Sequence, residues 1–225
     1  MNFIDITYFV NEINIPVDDY NPGTLDAAII RYQKEILKSL LGYQLWKELM
    51  ADLDSLGNPQ TQKFTDLVDG AEFSFEYGGE TINTKWEGLR NDDMVSLISY
   101  YVYYKYRKDF DTNYSGNSQT MPINENSQVI PYGYKLSTIW NLMIELYGKT
   151  PTKYDDNYIF PYNPYFSDSI YTNSKTWDQK YFFLNLDNYV HFNDTPSAYN
   201  FLLANKTDYT NWIFNPLYEQ NSFGI

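Results

Sequence analysis

Apolar residues keep helical spacing in the first stretch of the chain after Asn21-Pro22-Gly23-Thr24, a turn and helix-start signal. Leu25, Ala28, Ile29, Tyr32, Ile36, Leu37, Leu40 and Leu41 share one face, and Gly42 is a natural stop. A second helix is predicted over 43–53, with Leu45, Trp46, Leu49 and Leu53 on one side, broken by Gly57-Asn58-Pro59. A short helix over about 60–68 then ends at Asp69-Gly70. There the period switches from 3.6 to two. Phe73, Phe75 and Tyr77 alternate with Glu72, Ser74 and Glu76 before Gly78-Gly79, and residues 81–86 return, which predicts a β-hairpin over about 70–87.

The longest helix expected spans 89–110. Its run Leu97-Ile98-Ser99-Tyr100-Tyr101-Val102-Tyr103-Tyr104 is apolar or aromatic nearly all round, so protein must surround it on most sides. Residues 111–133 carry no periodicity, and a connection of that length is usually functional or disordered. One more amphipathic helix is predicted over 135–147, with Leu136, Ile139, Trp140, Met143 and Leu146 on its apolar face and Gly148 closing it. Beyond Thr150 the pattern dissolves into Pro, Asn and Tyr, with a strand expected at 181–186 and a short helix at 197–203. The fold class that follows is mainly α: a helical bundle core with a small inserted β-hairpin, long irregular loops and a C-terminal extension. The division expected is a helical core over 1–148 and an extended Tyr/Asn-rich region over 149–225 that packs on the core and on neighbours.

Composition sharpens this picture. The chain has 225 residues, of which 43% are hydrophobic, 20% charged and 19% aromatic, with 24 Tyr, 14 Phe and 5 Trp. Tyrosine and the 23 asparagines suit surfaces that bury area yet keep hydrogen bonds, although an AT-rich genome raises both without any functional cause. The formal net charge of −13 argues against wrapping nucleic acid, which needs Lys and Arg to replace counterions. An acidic channel wall past which DNA slides remains compatible with it. Cysteine is absent, so no disulfide or thiolate site exists. No apolar run nears the roughly 20 residues of a membrane span, and Met1 to Val10 lack a signal-peptide pattern, so an intracellular start is expected.

Catalytic chemistry finds little footing. His191 is the lone histidine, too few for an ordinary zinc site, and no nucleophile elbow, P-loop or Rossmann glycine pattern accompanies it. Asp18-Asp19, Asp92-Asp93 and Asp155-Asp156 are acidic doublets, but adjacency in sequence does not set two carboxylates across a sugar. Asp92-Asp93 is instead expected near the start of the 89–110 helix, where it would complement the dipole. Asp109 to Ser115 has the opening spacing of a calcium loop, yet lacks Gly at the sixth place and has Thr120 at the twelfth. No catalytic residue, cofactor or metal is expected.

The order of motifs carries a resemblance. Leu41-Gly42-Tyr43-Gln44-Leu45-Trp46 is followed by Phe64-Thr65-Asp66-Leu67-Val68-Asp69-Gly70 and by Lys85-Trp86-Glu87-Gly88-Leu89-Arg90. The aromatic helix and its long loop come next, and the chain closes with Asn211-Trp212-Ile213-Phe214 and Asn221-Ser222-Phe223-Gly224-Ile225. Over 24–148 and the last 15 residues this resembles the head-to-tail connector, or ring, proteins of tailed phages that infect Bacteroidetes, including the crAss-like phages. The resemblance implies a structural virion protein of the neck, made in the host cytoplasm and not an enzyme. It would form a homo-oligomeric ring, usually of twelve copies, beneath the portal protein and above further ring or tail proteins. Genomic DNA would pass through the channel without specific binding, and no membrane would be involved. Tyr100, Tyr101, Tyr103 and Tyr104 are expected to bridge core and neighbour, with Tyr114, Tyr132, Trp212 and Phe223 as further interface residues. Ordinary burial within one chain is the competing expectation for the tyrosine cluster. A carbohydrate-binding or receptor-contacting virion module, with exposed Tyr and Trp as stacking platforms, is the alternative. A glycosidase comes third, and would need two carboxylates facing each other in a concave aromatic pocket.

Overall fold

The computed structural model describes residues 2–15, 22–77, 80–110, 113–115, 118–120, 132–148, 197–215 and 217. The fold is mainly helical with a small antiparallel hairpin inserted, as the periodicities predict. Two 3₁₀ turns, Ile6–Tyr8 and Asn11–Ile13, lead in and bury Phe3, Ile4, Phe9, Ile13 and Ile15 against the helices. α1 (Pro22–Asp52) follows, then α2 (Gln62–Asp69), β1 (Ala71–Tyr77), β2 (Glu80–Trp86) and α3 (Leu97–Phe110). A second hairpin of β3 (Asn113–Ser115) and β4 (Ser118–Thr120) precedes α4 (Tyr132–Tyr147) and α5 (Ala198–Ala204).

α1 is broken where the sequence places a stop. Gly42 has φ +75° and ψ 162°, a region that only glycine occupies at low cost. The break re-aims the chain, so Leu25 through Leu41 and then Leu45 and Leu49 all reach the same core. It also leaves the carbonyls of the preceding turn without the amides an unbroken helix would offer. Those groups are capped from 170 residues away. Ser39 accepts from the Asn215 amide at 2.8 Å, Leu41 from the Ile213 amide at 3.2 Å, and Leu40 from the Trp212 indole at 2.8 Å. The C-terminal segment thus lies as an extended strap over the break. A Cβ placed on Gly42 would stand 2.9 Å from the Ile213 Cβ and carbonyl oxygen, so the site also requires glycine sterically.

β1 and β2 pair in register from Ala71 with Trp86 to Tyr77 with Glu80. Their apolar face meets α5, where Phe201 packs edge-on to Phe73 at 5.4 Å and stacks with Trp86 at 6.2 Å. The hairpin base is locked onto α2: the Trp86 indole donates to the Leu67 carbonyl at 2.9 Å, and Arg90 bonds Asp69 at 2.5 Å. α5 is started by Ser197, whose hydroxyl accepts from the Asn200 amide.

Two expectations need correction. The helix expected over 89–110 begins only at Leu97. Local side chains outcompete the first two turns: Asn91 bonds Val95 through both its amide and its carbonyl oxygen, and the Ser96 hydroxyl donates to Leu89 and caps Ile98. Asp92-Asp93 therefore sits in a turn rather than in a helix's first turn, and Met94 takes φ +58° there. The stretch 111–133 was expected to lack regular structure, yet it holds β3 and β4. Gly116-Asn117, between the strands in sequence, is a pair that hairpins favour, and the three-residue strands are too short to show a period. The strand expected over 181–186 and the Gly78-Gly79 turn lie outside the described residues.

Candidate interaction surface

α3 packs against α1 on one side and α4 on another, which is why its sequence is apolar nearly all round. Tyr100, Tyr101, Tyr103 and Tyr104, expected to bridge core and neighbour, are 6, 2, 3 and 6% exposed. Their rings are consumed inside the chain and have little area left for a second copy. Tyr101 meets Tyr32 of α1 edge-on at 6.4 Å, and Tyr104 meets Trp140 of α4 at 4.9 Å. The hydroxyls end at the rim on carboxylates: Tyr101 on Glu35 at 2.6 Å, Tyr100 on Glu12, and Tyr32 on Asp109. A phenol suits this place because its ring joins the core while its oxygen keeps a partner. Burial, with the acceptor carboxylate's charge adding, pushes the Tyr32 hydroxyl up to about 12 and that of Tyr100 further. Burial likewise raises Tyr147 and Tyr209, which donate to the Asn215 and Lys63 carbonyls.

Of the remaining expected interface residues, Trp212 is engaged within its own chain, as a cap on α1 and in a ring cluster with Tyr199 and Phe214. Its bond to Leu40 is a requirement of the Gly42 break, which sequence spacing could not reveal. Tyr114 lies in β3 and Tyr132 opens α4, but their side chains fall outside the described residues, as does all of Phe223. Asp109, the first residue of the calcium-like spacing, serves as the acceptor for Tyr32. Among the described residues no group of three His, Asp or Glu could hold a metal ion. His191, Asp18-Asp19 and Asp155-Asp156 lie outside them.

Among the described residues, two concave regions lie at the β1–β2 hairpin. One, of about 630 Å³, runs along the polar side of the β1–β2 hairpin between Glu72 and Lys85. The other, of about 540 Å³, lies at the hairpin base and is lined by Asp69, Glu87, Asp92 and Asp93 together with Lys85, Arg90, Asn91 and Tyr8. This second cleft has the carboxylates a glycosidase would need, but Asp69 is bound to Arg90 and Glu87 to Lys85 at 2.8 Å. A general acid in such chemistry sits in apolar surroundings. Here cations hold Asp69 and Glu87, Asp92 and Asp93 are consecutive and exposed to solvent, and among the described residues Tyr8 is the one aromatic in the lining.

The surface itself is more informative. At the break in α1, Tyr43 is 64% exposed and Ile213 62% exposed, and the strap's bond to Leu41 sets Ile213 against Gly42, the residue before Tyr43. Trp46 adjoins Tyr43 at 5.9 Å. Lys38 lies over both rings, at 4.4 Å from the Trp46 centroid and 5.5 Å from that of Tyr43, and Lys34 approaches Trp46 at 5.8 Å. Arg31, Lys34 and Lys38 follow i, i+3, i+7 spacing and share one helix face. None of them has a carboxylate in ion-pair distance among the described residues, although acids outnumber bases by 29 to 16 in the chain. The basic spacing is a signal that the sequence offers, although periodicity of apolar residues alone passes over it. The place of Ile213 is not such a signal, because it depends on a contact across the whole chain.

No family model, no curated protein and no solved structure matches the chain. Among the described residues no helix is long and apolar enough to cross a membrane.

Proposed function

We propose that this chain is a structural subunit of a head-to-tail connector ring, joining a phage capsid to its tail below the portal protein. The observation that carries the reading is the exposure of Tyr43 and Ile213 at the break in α1, two large side chains 170 positions apart in sequence that the fold leaves facing solvent. Most of the aromatic helix α3 is buried, so an aromatic surface left outside marks a contact with another macromolecule. The motif order supports the same reading through its resemblance to connector proteins. A ring of copies, usually twelve in such adaptors, would surround the DNA channel, and the net charge of −13 would let DNA slide without adhesion.

The exposed Tyr43 ring and the half-buried Trp46 ring also favour, more weakly, a carbohydrate-stacking module. Lys38 covers part of the Trp46 face that a sugar would need, which makes a protein partner the better fit. Cryo-electron microscopy of the particle containing this chain tests the proposal. Ring density for it between portal and tail is the expected result. Its location on a fibre, or outside the particle, would end the connector reading and bring the glycan-binding one forward.

A further inference from the structure

The surface at the break in α1 combines three features that call for a definite occupant: cations on one face with no ion-pair partner among the described residues, two adjoining rings, and an exposed aliphatic side chain from the strap. A fitting partner must offer carboxylates next to exposed apolar side chains. The chain carries one such element itself. Asp92, Asp93, Met94 and Val95 are consecutive and exposed, and neither aspartate has an ion-pair partner among the described residues. Asn91 braces this turn through its two bonds to Val95, and the Tyr8 hydroxyl holds Asn91 by accepting from its amide and donating to its carbonyl, both at 3.1 Å. The turn is thus fixed before it meets anything, and little conformational entropy would be lost on docking.

We infer that the 91–95 turn of one copy docks on the Lys34, Lys38, Tyr43, Trp46 and Ile213 surface of the next. This inference rests on the reading that the chain assembles with its own copies. The two surfaces are unlike and sit on different elements, one on α1 and one between β2 and α3, so a copy can give with one and receive with the other. Such a head-to-tail contact is heterologous, and it generates a ring when the rotation closes. Asp92 and Asp93 face the lysine ammonium groups, while Met94 and Val95 cover the Tyr43 ring and Ile213. Charge complementarity sets the orientation, and the aromatic surface supplies the contact area.

Because the chain has no cysteine, single-cysteine variants report the contact cleanly. Tyr43→Cys and Val95→Cys alter exposed side chains; mixed as full chains in concentrated solution and treated with a short bis-maleimide, they should give a 43–95 linked dimer. The expected yield is several-fold above that of Tyr43→Cys mixed with Leu56→Cys, whose cysteine is exposed but on neither surface. K34E/K38E placed in the Tyr43→Cys chain should bring the yield down to that control, and D92K/D93K in the Val95→Cys chain should then recover it. A yield no higher than the Leu56→Cys control, or one indifferent to the charge reversals, overturns the contact. If the wild-type chain still forms rings in the particle, the subunit reading survives that failure. If no association of the wild-type chain is found by sedimentation or in the particle, both are overturned.

Discussion

Tyr101 and Tyr43 are the same residue on neighbouring helices, and 2% of one is exposed against 64% of the other. α3 lies between α1 and α4, so its tyrosine rings are buried, and those of Tyr100 and Tyr101 place their hydroxyls on rim carboxylates. At the break in α1 the helix direction changes and the strap fills one side, leaving Tyr43 beyond the core. An aromatic-rich run in a sequence therefore says that area will be buried, but not by whom. The residues that looked most like an interface serve the core, and the residues that do face outward sit beside a glycine.

The comparison can be broken from its buried side first. Tyr101→Ala should cost about 3–5 kcal/mol, as aromatic truncations in cores do. Chemical denaturation reads this as a lower midpoint at unchanged slope; a loss as small as that of a surface substitution would mean that α3 is not packed as described. The same side should fail in alkali. Tyr32 is pushed up to about 12 from the ordinary 10, and Tyr100, Tyr147 and Tyr209 are raised as well. In each case the folded state keeps a proton that the unfolded chain releases. The stability is therefore fully present below pH 10 and is lost as pH rises through about 12. Phenolate absorbance should show a late class of tyrosines ionising together with loss of helical circular dichroism. If all of them ionised near pH 10 with the helices intact, the buried hydroxyls would be wrongly placed.

Between the two sides stands the break. Gly42→Ala puts a side chain at a positive φ and against Ile213, and should cost on the order of 1–3 kcal/mol. The strap should loosen with it, read as faster amide exchange at Ile213 and Asn215, whose N–H groups bond α1. Unchanged exchange there would show that the strap is held by α4 and the hairpin instead. The smallest effect belongs to the exposed side. Tyr43→Ser should change stability by within about 0.5 kcal/mol, since the ring supports little of its own fold. A thermal shift like that of Tyr101→Ala would place Tyr43 in the core's service and remove the contrast.

Much of the framework was written in periodicity. The 25–41 face, the Gly42 stop, the hairpin and the 135–147 face each rest on spacing within one element, and local spacing survives folding because each element must bury one side. The start of α3 was illegible because Asn91 and Ser96 redirect the backbone through side-chain bonds that hydrophobic pattern does not record. β3 and β4 were too short to show a period. For the candidate surface, the basic spacing of Arg31, Lys34 and Lys38 could be read, but its aromatic and aliphatic half could not.

By itself, then, the amino-acid sequence determined a mainly helical, acidic, cysteine-free chain with an inserted hairpin, because composition and period act residue by residue. Only the tertiary structure decided which tyrosines are core, what caps the carbonyls at Gly42, and which side chains remain outside. Those outcomes depend on contacts such as Ile213 with Leu41 and Tyr209 with Lys63, made between residues well over a hundred positions apart. Burial is a property of neighbours in space, and nothing in the local order of residues specifies who those neighbours are.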